Sequence, residues 1–345
     1  MTTTSELQQT ITDLVDDQRG ILAADESLPT IQKRFDTINV DSTESTRQIY
    51  RSLLLSTPDL GHFISGVILF EETLGQKDNN QTSLPALAWS QNIVPGVKVD
   101  KGTGPLAGIP DDLITYGLDG LADRLQAYKQ QGARFAKWRE VYLITPQNPT
   151  PVGVIANAEV LARYAAVCQE MGVVPIVEPE VLMDGSHDIE QCAQVTEEVL
   201  LAVFHALHAD NISLDHMILK PNMVLPGKAC RRAEPHEVAT ATLKVLRHTV
   251  PVAVPSINFL SGGQTPEEAT ANLNAINQLR GNAPWQLSSS FGRALQQPVL
   301  QAWQGQPENR HSAQQALLKR VRLNNLARQD QYTATLEMQT LDTTG

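Results

Sequence analysis

Lys220 follows the apolar run Met217-Ile218-Leu219 and precedes Pro221. Apolar flanks desolvate an ammonium group and favour its neutral form, the nucleophile that attacks a ketone or aldehyde to give a Schiff base. Two other spacings accompany it. Lys137 and Arg139 form an i, i+2 pair, and so do Glu178 and Glu180. Strand side chains alternate faces, so the members of each pair point the same way. One strand then offers two cations and its neighbour two carboxylates. Lys137 is expected to lower the Lys220 pKa further, and Glu178 to act as the acid/base that carbinolamine formation and dehydration require. Each feature alone also reads as a surface ion pair or a snorkelling lysine. Together they describe a site.

Anion chemistry has its own marks. Ser261-Gly262-Gly263 runs into a helix start with Thr265 at the N-cap, Pro266 at the first helical position and Glu268 completing a capping box. Glycines let backbone N–H groups approach an anion, and a helix N-terminus favours negative charge. Gly292-Arg293 follows the next strand. A second anion site is expected from Ser27, Thr30, Lys33 and Arg34 on one short segment, joined by Lys98. Two such sites across one mouth suit a bisphosphorylated substrate, although Lys33 and Arg34 also fit a solvated helix face.

These residues fall at the ends of a repeated strand–helix pattern. The strands are expected at Gly20–Ala24, Gly66–Phe70, Gly96–Val99, Ala133–Trp138, Val173–Glu178, Met217–Pro221, Val252–Phe259 and Gln286–Ser290. Helical periodicity covers Leu118–Gln131, Ala156–Met171, Ile189–His208, Pro235–His248, Thr265–Leu279, Ala294–Gln304 and His311–Gln329. Eight strands alternating with helices predict an α/β fold, a (β/α)8 TIM barrel, whose catalytic groups come from strand C-terminal ends. An open doubly wound sheet would show a glycine-rich phosphate loop after the first strand, but Asp25-Glu26-Ser27 stands there. No linker divides the chain. One barrel domain over 1–345 is expected, with an N-terminal extension over 1–18 and a C-terminal tail over about 330–345.

The 345 residues carry 27 Lys+Arg against 38 Asp+Glu, a formal charge of −11, which argues against nucleic acid as the main partner. A few cations focused in one cleft still suit a small anion. Cys168, Cys192 and Cys230 lack the spacing of a zinc site or disulfide framework, and the eight histidines do not converge at strand ends. No metal and no cofactor are expected. No run of about 18 apolar residues is present, so no membrane span is expected. The first twenty residues hold one Arg among four acids and no apolar stretch after a basic region, which points to the cytosol.

GILAADES, GVILFEETL, GVKVDKG, ARFAKWR, VPIVEPE, ILKPNMVLPG, FLSGGQ and FGRAL resemble the class I fructose-bisphosphate aldolases, from about residue 10 to 330. The resemblance implies a metal-independent Schiff-base lyase that reversibly cleaves fructose 1,6-bisphosphate to dihydroxyacetone phosphate and glyceraldehyde 3-phosphate, in glycolysis, gluconeogenesis or carbon fixation. It implies Lys220 as the Schiff-base lysine and Glu178 as the acid/base with Glu180 beside it. Asp25 takes the place of the proton-abstracting carboxylate and Lys137 of its electrostatic partner. Ser261, Gly262, Ser290, Gly292 and Arg293 match one phosphate group, with Gly263 and Arg139 adjoining; Ser27, Thr30, Arg34 and Lys98 match the other end. A homotetramer is implied as well. Three departures stand out. Tyr332 is the last tyrosine, so no terminal-tyrosine assistance is expected; Leu28-Pro29 follow the DES string; and Phe291 stands where a tyrosine commonly precedes GR. A related lyase for another sugar phosphate and a barrel that has lost turnover are the alternatives.

Overall fold

The computed structural model describes residues 2–339. Eight parallel strands close in sequence order into a barrel: β1 (Gly20–Ala24), β2 (Ile64–Leu69), β3 (Val94–Lys98), β4 (Phe135–Tyr142), β5 (Val174–Val181), β6 (Ile218–Leu219), β7 (Ser256–Phe259) and β8 (Gln286–Phe291), with β8 returning to β1. The expected (β/α)8 barrel is the observed fold.

The helices, in chain order, are α1 (Thr3–Leu14), α2 (Leu28–Asp36), α3 (Glu44–Leu55), α4 (Glu71–Gly75), α5 (Leu84–Trp89), α6 (Leu121–Gln130), α7 (Pro151–Glu170), α8 (Ile189–Ala209), α9 (Pro235–Thr249), α10 (Pro266–Leu279), α11 (Arg293–Trp303) and α12 (Arg310–Arg328). The capping box read from Thr265 and Glu268 is present: Thr265 Oγ1 accepts from Glu268 N at 3.1 Å, and Glu268 Oε2 from Thr265 N at 2.8 Å. At 20 residues α7 is long and apolar enough for a membrane span, contrary to the reading from apolar runs. Its Leu161, Ala162, Tyr164 and Ala165 are fully buried in the outer layer of the barrel.

Two cores hold this arrangement, because strands buried on both faces need apolar residues at successive positions. The outer core lies between strands and helices and includes Leu22, Leu69, Val97, Trp138, Val177 and Leu219. The inner core fills the lower barrel with Ile21, Ile68, Val94, Phe135, Val174, Ile176 and Ile218, and Leu7, Ile11 and Leu14 of α1 close it from below. The N-terminal extension is thus a plug. A Cβ on Gly96 would lie 2.3 Å from the Phe135 ring, so glycine there lets that ring fill the barrel.

Strand alternation converts this packing into a site. Climbing the inner face, Phe135 is followed by Lys137 and Arg139, Ile176 by Glu178 and Glu180, and Ile218 by Lys220. The barrel is apolar below and charged above. Only β1 keeps its expected bounds, and the largest shifts fall in β4, β5 and β7. β4 and β5 run on to Tyr142 and Val181, because their ladder continues through Arg139↔Glu178 to Tyr142↔Val181. β7 starts only at Ser256, since Pro251 and Pro255 bracket a turn with Val254 N donating to Pro251 O. Sequence periodicity also passed over α1 to α5 and the antiparallel pair Thr103–Pro105 with Leu113–Thr115.

At the other end, Arg328 of α12 donates to the carbonyls of Asp16 and Arg19, fastening the last long helix to the approach to β1. Tyr332 is buried and donates to Glu337 at 3.0 Å. Residues 340–345 of the expected tail lie outside the described residues.

Candidate active site

A cavity of about 720 Å³ opens at the C-terminal ends of the strands. Asp25 sits one residue past β1, Lys98 ends β3, Lys137 and Arg139 lie within β4, Glu178 and Glu180 within β5, and Lys220 one residue past β6; all line this cavity. At its centre is a chain of alternating charges. Lys220 Nζ is 3.2 Å from Glu178 Oε1, Glu178 Oε2 is 3.0 Å from Lys137 Nζ, and Lys137 Nζ is 2.8 Å from Asp25 Oδ2. Lys137, Glu178 and Lys220 are all buried. The sequence suggested Lys137 as a like charge beside Lys220, whereas the structure places a carboxylate between the two ammonium groups.

Burial alone pushes the Asp25 carboxyl up, but Lys137 and then Lys220 pull it far below the usual carboxylate range. Burial likewise opposes the charge on Lys137, and Asp25 and Glu178 more than reverse this, holding it well above an ordinary lysine. Arg139 pairs with Glu180, which raises the arginine despite its burial. Each cation of β4 therefore meets one carboxylate of β5. Among the described residues no group of three His, Cys, Asp or Glu is placed to hold a metal ion.

One end of the cavity is built by Ser261 and Gly262 after β7 and by Ser290, Gly292 and Arg293 at the end of β8. Arg293 Nη2 donates to the carbonyls of Gly262 and Gln264, both at 2.9 Å, so the two strand ends are tied together. Gly262 adopts φ +50°, which a side chain would strain. Ser290 Oγ and Arg293 Nε are buried with no hydrogen-bond partner among the described residues. Burial, and then the nearby Arg34, lower the Arg293 pKa.

Ser27 and Thr30, just past β1, also line the cavity, their hydroxyls 3.0 Å apart, with Lys98 of β3 held by the side chain and carbonyl of Asp100. Three expectations need correction. Arg34 does not stand with this group alone: its Nη2 is 3.9 Å from where a Cβ on Gly292 would be, so it serves the Gly292 side. Gly263 faces Met183 and Lys228 and does not line the cavity. Lys33 is exposed and outside it. Leu28 and Pro29 form part of the rim, and Leu28 stays exposed. Tyr332 is not in the wall.

Sequence reasoning missed Lys101, Glu71 and Glu26, which also line the cavity. Glu26 had a signal. It interrupts an apolar strand end one residue after Asp25, yet is itself buried.

A parallel barrel that gathers a lysine–carboxylate chain, hydroxyls, glycines and arginines at the C-terminal ends of its strands has the architecture of a barrel enzyme. The family model described as "Glycolytic: Fructose-bisphosphate aldolase class-I" matches residues 6–344. The chain is 53% identical over 309 residues to fructose-bisphosphate aldolase 6, cytosolic, of Arabidopsis thaliana, covering 90% of this chain and 86% of that protein. It is 50% identical over 316 residues to human fructose-bisphosphate aldolase C, covering 91% and 87%. A solved Plasmodium falciparum aldolase, in a ternary complex with TRAP and a small-molecule inhibitor, superposes with a TM-score of 0.94 at 48% identity, covering 96% of each chain. The chain belongs to the class-I fructose-bisphosphate aldolase family. The resemblance carried by ILKPNM, VEPE and LSGGQ is thereby borne out.

Proposed function

We propose that this protein cleaves fructose 1,6-bisphosphate through a Schiff base on Lys220, in one barrel domain that spans the chain. The observation that carries this reading is the buried order Lys220–Glu178–Lys137–Asp25 between two anion-binding ends. Glu178 Oε1 is placed to take a proton from Lys220 as its amine attacks the substrate ketone, and to return one as water leaves the carbinolamine. The protonated imine then draws in the electron pair of the breaking C3–C4 bond. Asp25, kept ionised by Lys137, accepts the C4 hydroxyl proton, and glyceraldehyde 3-phosphate departs. Protonation of the remaining enamine and hydrolysis release dihydroxyacetone phosphate and restore the amine. Glu180 holds Arg139 beside this centre.

Ser261, Gly262, Ser290, Gly292 and Arg293 take one phosphate, which gives Ser290 Oγ and Arg293 Nε the partners they lack; Ser27, Thr30 and Lys98 take the other. We place the protein in the cytosol, as the names of its plant relatives state for those proteins. We assign it the reversible reaction without a fixed pathway direction. By the family resemblance we assign it a homotetramer, and α7 exposes Val152 and Ile155, i, i+3 neighbours on one face that a subunit contact would cover. Light scattering is expected to give four chain masses, and Ile155→Glu to lower that number.

Incubation with fructose 1,6-bisphosphate followed by borohydride should leave a triose-phosphate adduct on the Lys220 peptide. No adduct on that peptide defeats the mechanism. Lys137→Met is expected to lower kcat about a hundredfold or more, since it leaves Asp25 and the buried Glu178 facing each other without their shared cation. Lys137 is what holds Asp25 low, so the acid limb of the kcat/KM profile should move to higher pH in this variant. An unmoved acid limb would remove Asp25 from its role.

A further inference from the structure

From the cavity wall at Glu26 and Arg34 a polar cluster that the reaction above does not use runs back to Arg51 and Gln296. Glu26 is buried at the end of β1, one residue past Asp25. Its Oε1 is 2.6 Å from Arg34 Nη1 and accepts from Gln296 Nε2 at 2.7 Å, while its Oε2 accepts from Arg51 Nη2 at 2.6 Å. Gln296 in turn donates to Ala23 O at 2.7 Å and accepts from Arg51 Nη1 at 3.2 Å. The carboxylate is held from three helices, by Arg34 of α2, Arg51 of α3 and Gln296 of α11. Of its partners Arg34 alone lines the cavity, and its guanidinium remains partly exposed.

The two ends of that guanidinium have different tasks. Nη1 takes Glu26, and Nη2 reaches toward Gly292, next to Arg293. A guanidinium ion-paired at one end to a fixed carboxylate costs less to order when it meets an anion at the other. Charge agrees: one carboxylate against two guanidiniums leaves the cluster net positive beside a third arginine. A dianionic group completes that balance.

We propose that Glu26 is a positioning residue that holds the Arg34 guanidinium on the cavity wall for the substrate phosphate bound between Gly262 and Gly292. This rests on the aldolase reading above. Arg51 and Gln296 hold Glu26, and Arg34 makes the contact.

Glu26→Gln keeps the shape of the side chain and removes the charge that pairs both arginines. It is expected to raise KM for fructose 1,6-bisphosphate about tenfold or more while kcat stays within about threefold. Borohydride trapping of dihydroxyacetone, which has no phosphate, should be unchanged, and trapping of dihydroxyacetone phosphate should need a higher concentration. A merely structural role would weaken both probes equally. An unchanged KM overturns the proposal, as does a loss confined to kcat. A lower KM also overturns it, because Glu26 would then be competing with phosphate for Arg34. Should Glu26→Gln not fold, Arg51→Lys makes the same test: it keeps the charge, loses the fork, and should raise KM about threefold. Wild-type protein without turnover or adduct would instead count against the aldolase reading itself.

Discussion

Lys220→Ala is expected to abolish aldol cleavage, with kcat/KM falling by about four orders of magnitude or more, in a protein that still folds. The amine supplies the bond through which electrons leave C3, and no neighbour can replace it. Lys137 Nζ is near enough to Glu178 to share its charge but is itself clamped between two carboxylates and held strongly protonated. The same clamp explains why the fold survives. Glu178 loses one cation and keeps the other, so no buried carboxylate is left unpaired. Lys220→Arg should be equally inactive, because a guanidinium stays charged and cannot attack a ketone. The measurement is turnover of fructose 1,6-bisphosphate beside a melting curve for each variant. Turnover within tenfold of wild type in either would refute the Schiff base. A loss of activity together with the folded state would show only that the lysine is structural, and the arginine variant, which preserves the charge, separates these cases.

How far the sequence reaches can be seen at particular residues. Lys137, Arg139, Glu178, Glu180 and Lys220 were legible because ionisable residues at i, i+2 in otherwise apolar strands have few structural reasons to exist. The alternation that makes such a pair share a face is local, and so is the capping box at Thr265. The order in which the charges meet is not local. Lys137 is in register with Ile176 but reaches Glu178, because the strands of a closed barrel are tilted and a side chain points past its ladder partner. Only the assembled register puts Glu178 between two lysines. Glu26 escaped for a similar reason: Arg51 lies 25 residues away and Gln296 270, and each is unremarkable on its own helix. Arg34 was found but assigned to one end, since helix spacing says which residues share a face and not which strand end that face meets. The short helices α2, α4 and α5 escaped because brief amphipathic stretches give too few periods to read.

A second large effect is expected on the outer face of β4, where the same alternation that sends Lys137 and Arg139 inward turns Trp138 and Glu140 outward. Glu140 is fully buried; its Oε1 accepts from Trp138 Nε1 at 2.8 Å, and its Oε2 has no partner among the described residues. Burial pushes its carboxyl up to about 8, with Asp100 adding to the rise and the Trp138 and Thr115 hydrogen bonds opposing it. In the unfolded chain the group titrates near 4.5. The folded state therefore holds its proton more tightly, and this contribution to stability is complete below pH 4.5 and disappears as pH rises through 8. The loss is on the order of 4 kcal/mol by pH 9. Glu140→Gln has no proton to lose. Its melting temperature relative to wild type should rise steadily between pH 5 and 8.5, and flatten beyond, whatever fixed offset the amide introduces by placing an N–H where Oε2 finds no partner. A difference that does not change with pH would mean that Glu140 is already ionised in the folded protein and that some unrecognised donor reaches Oε2.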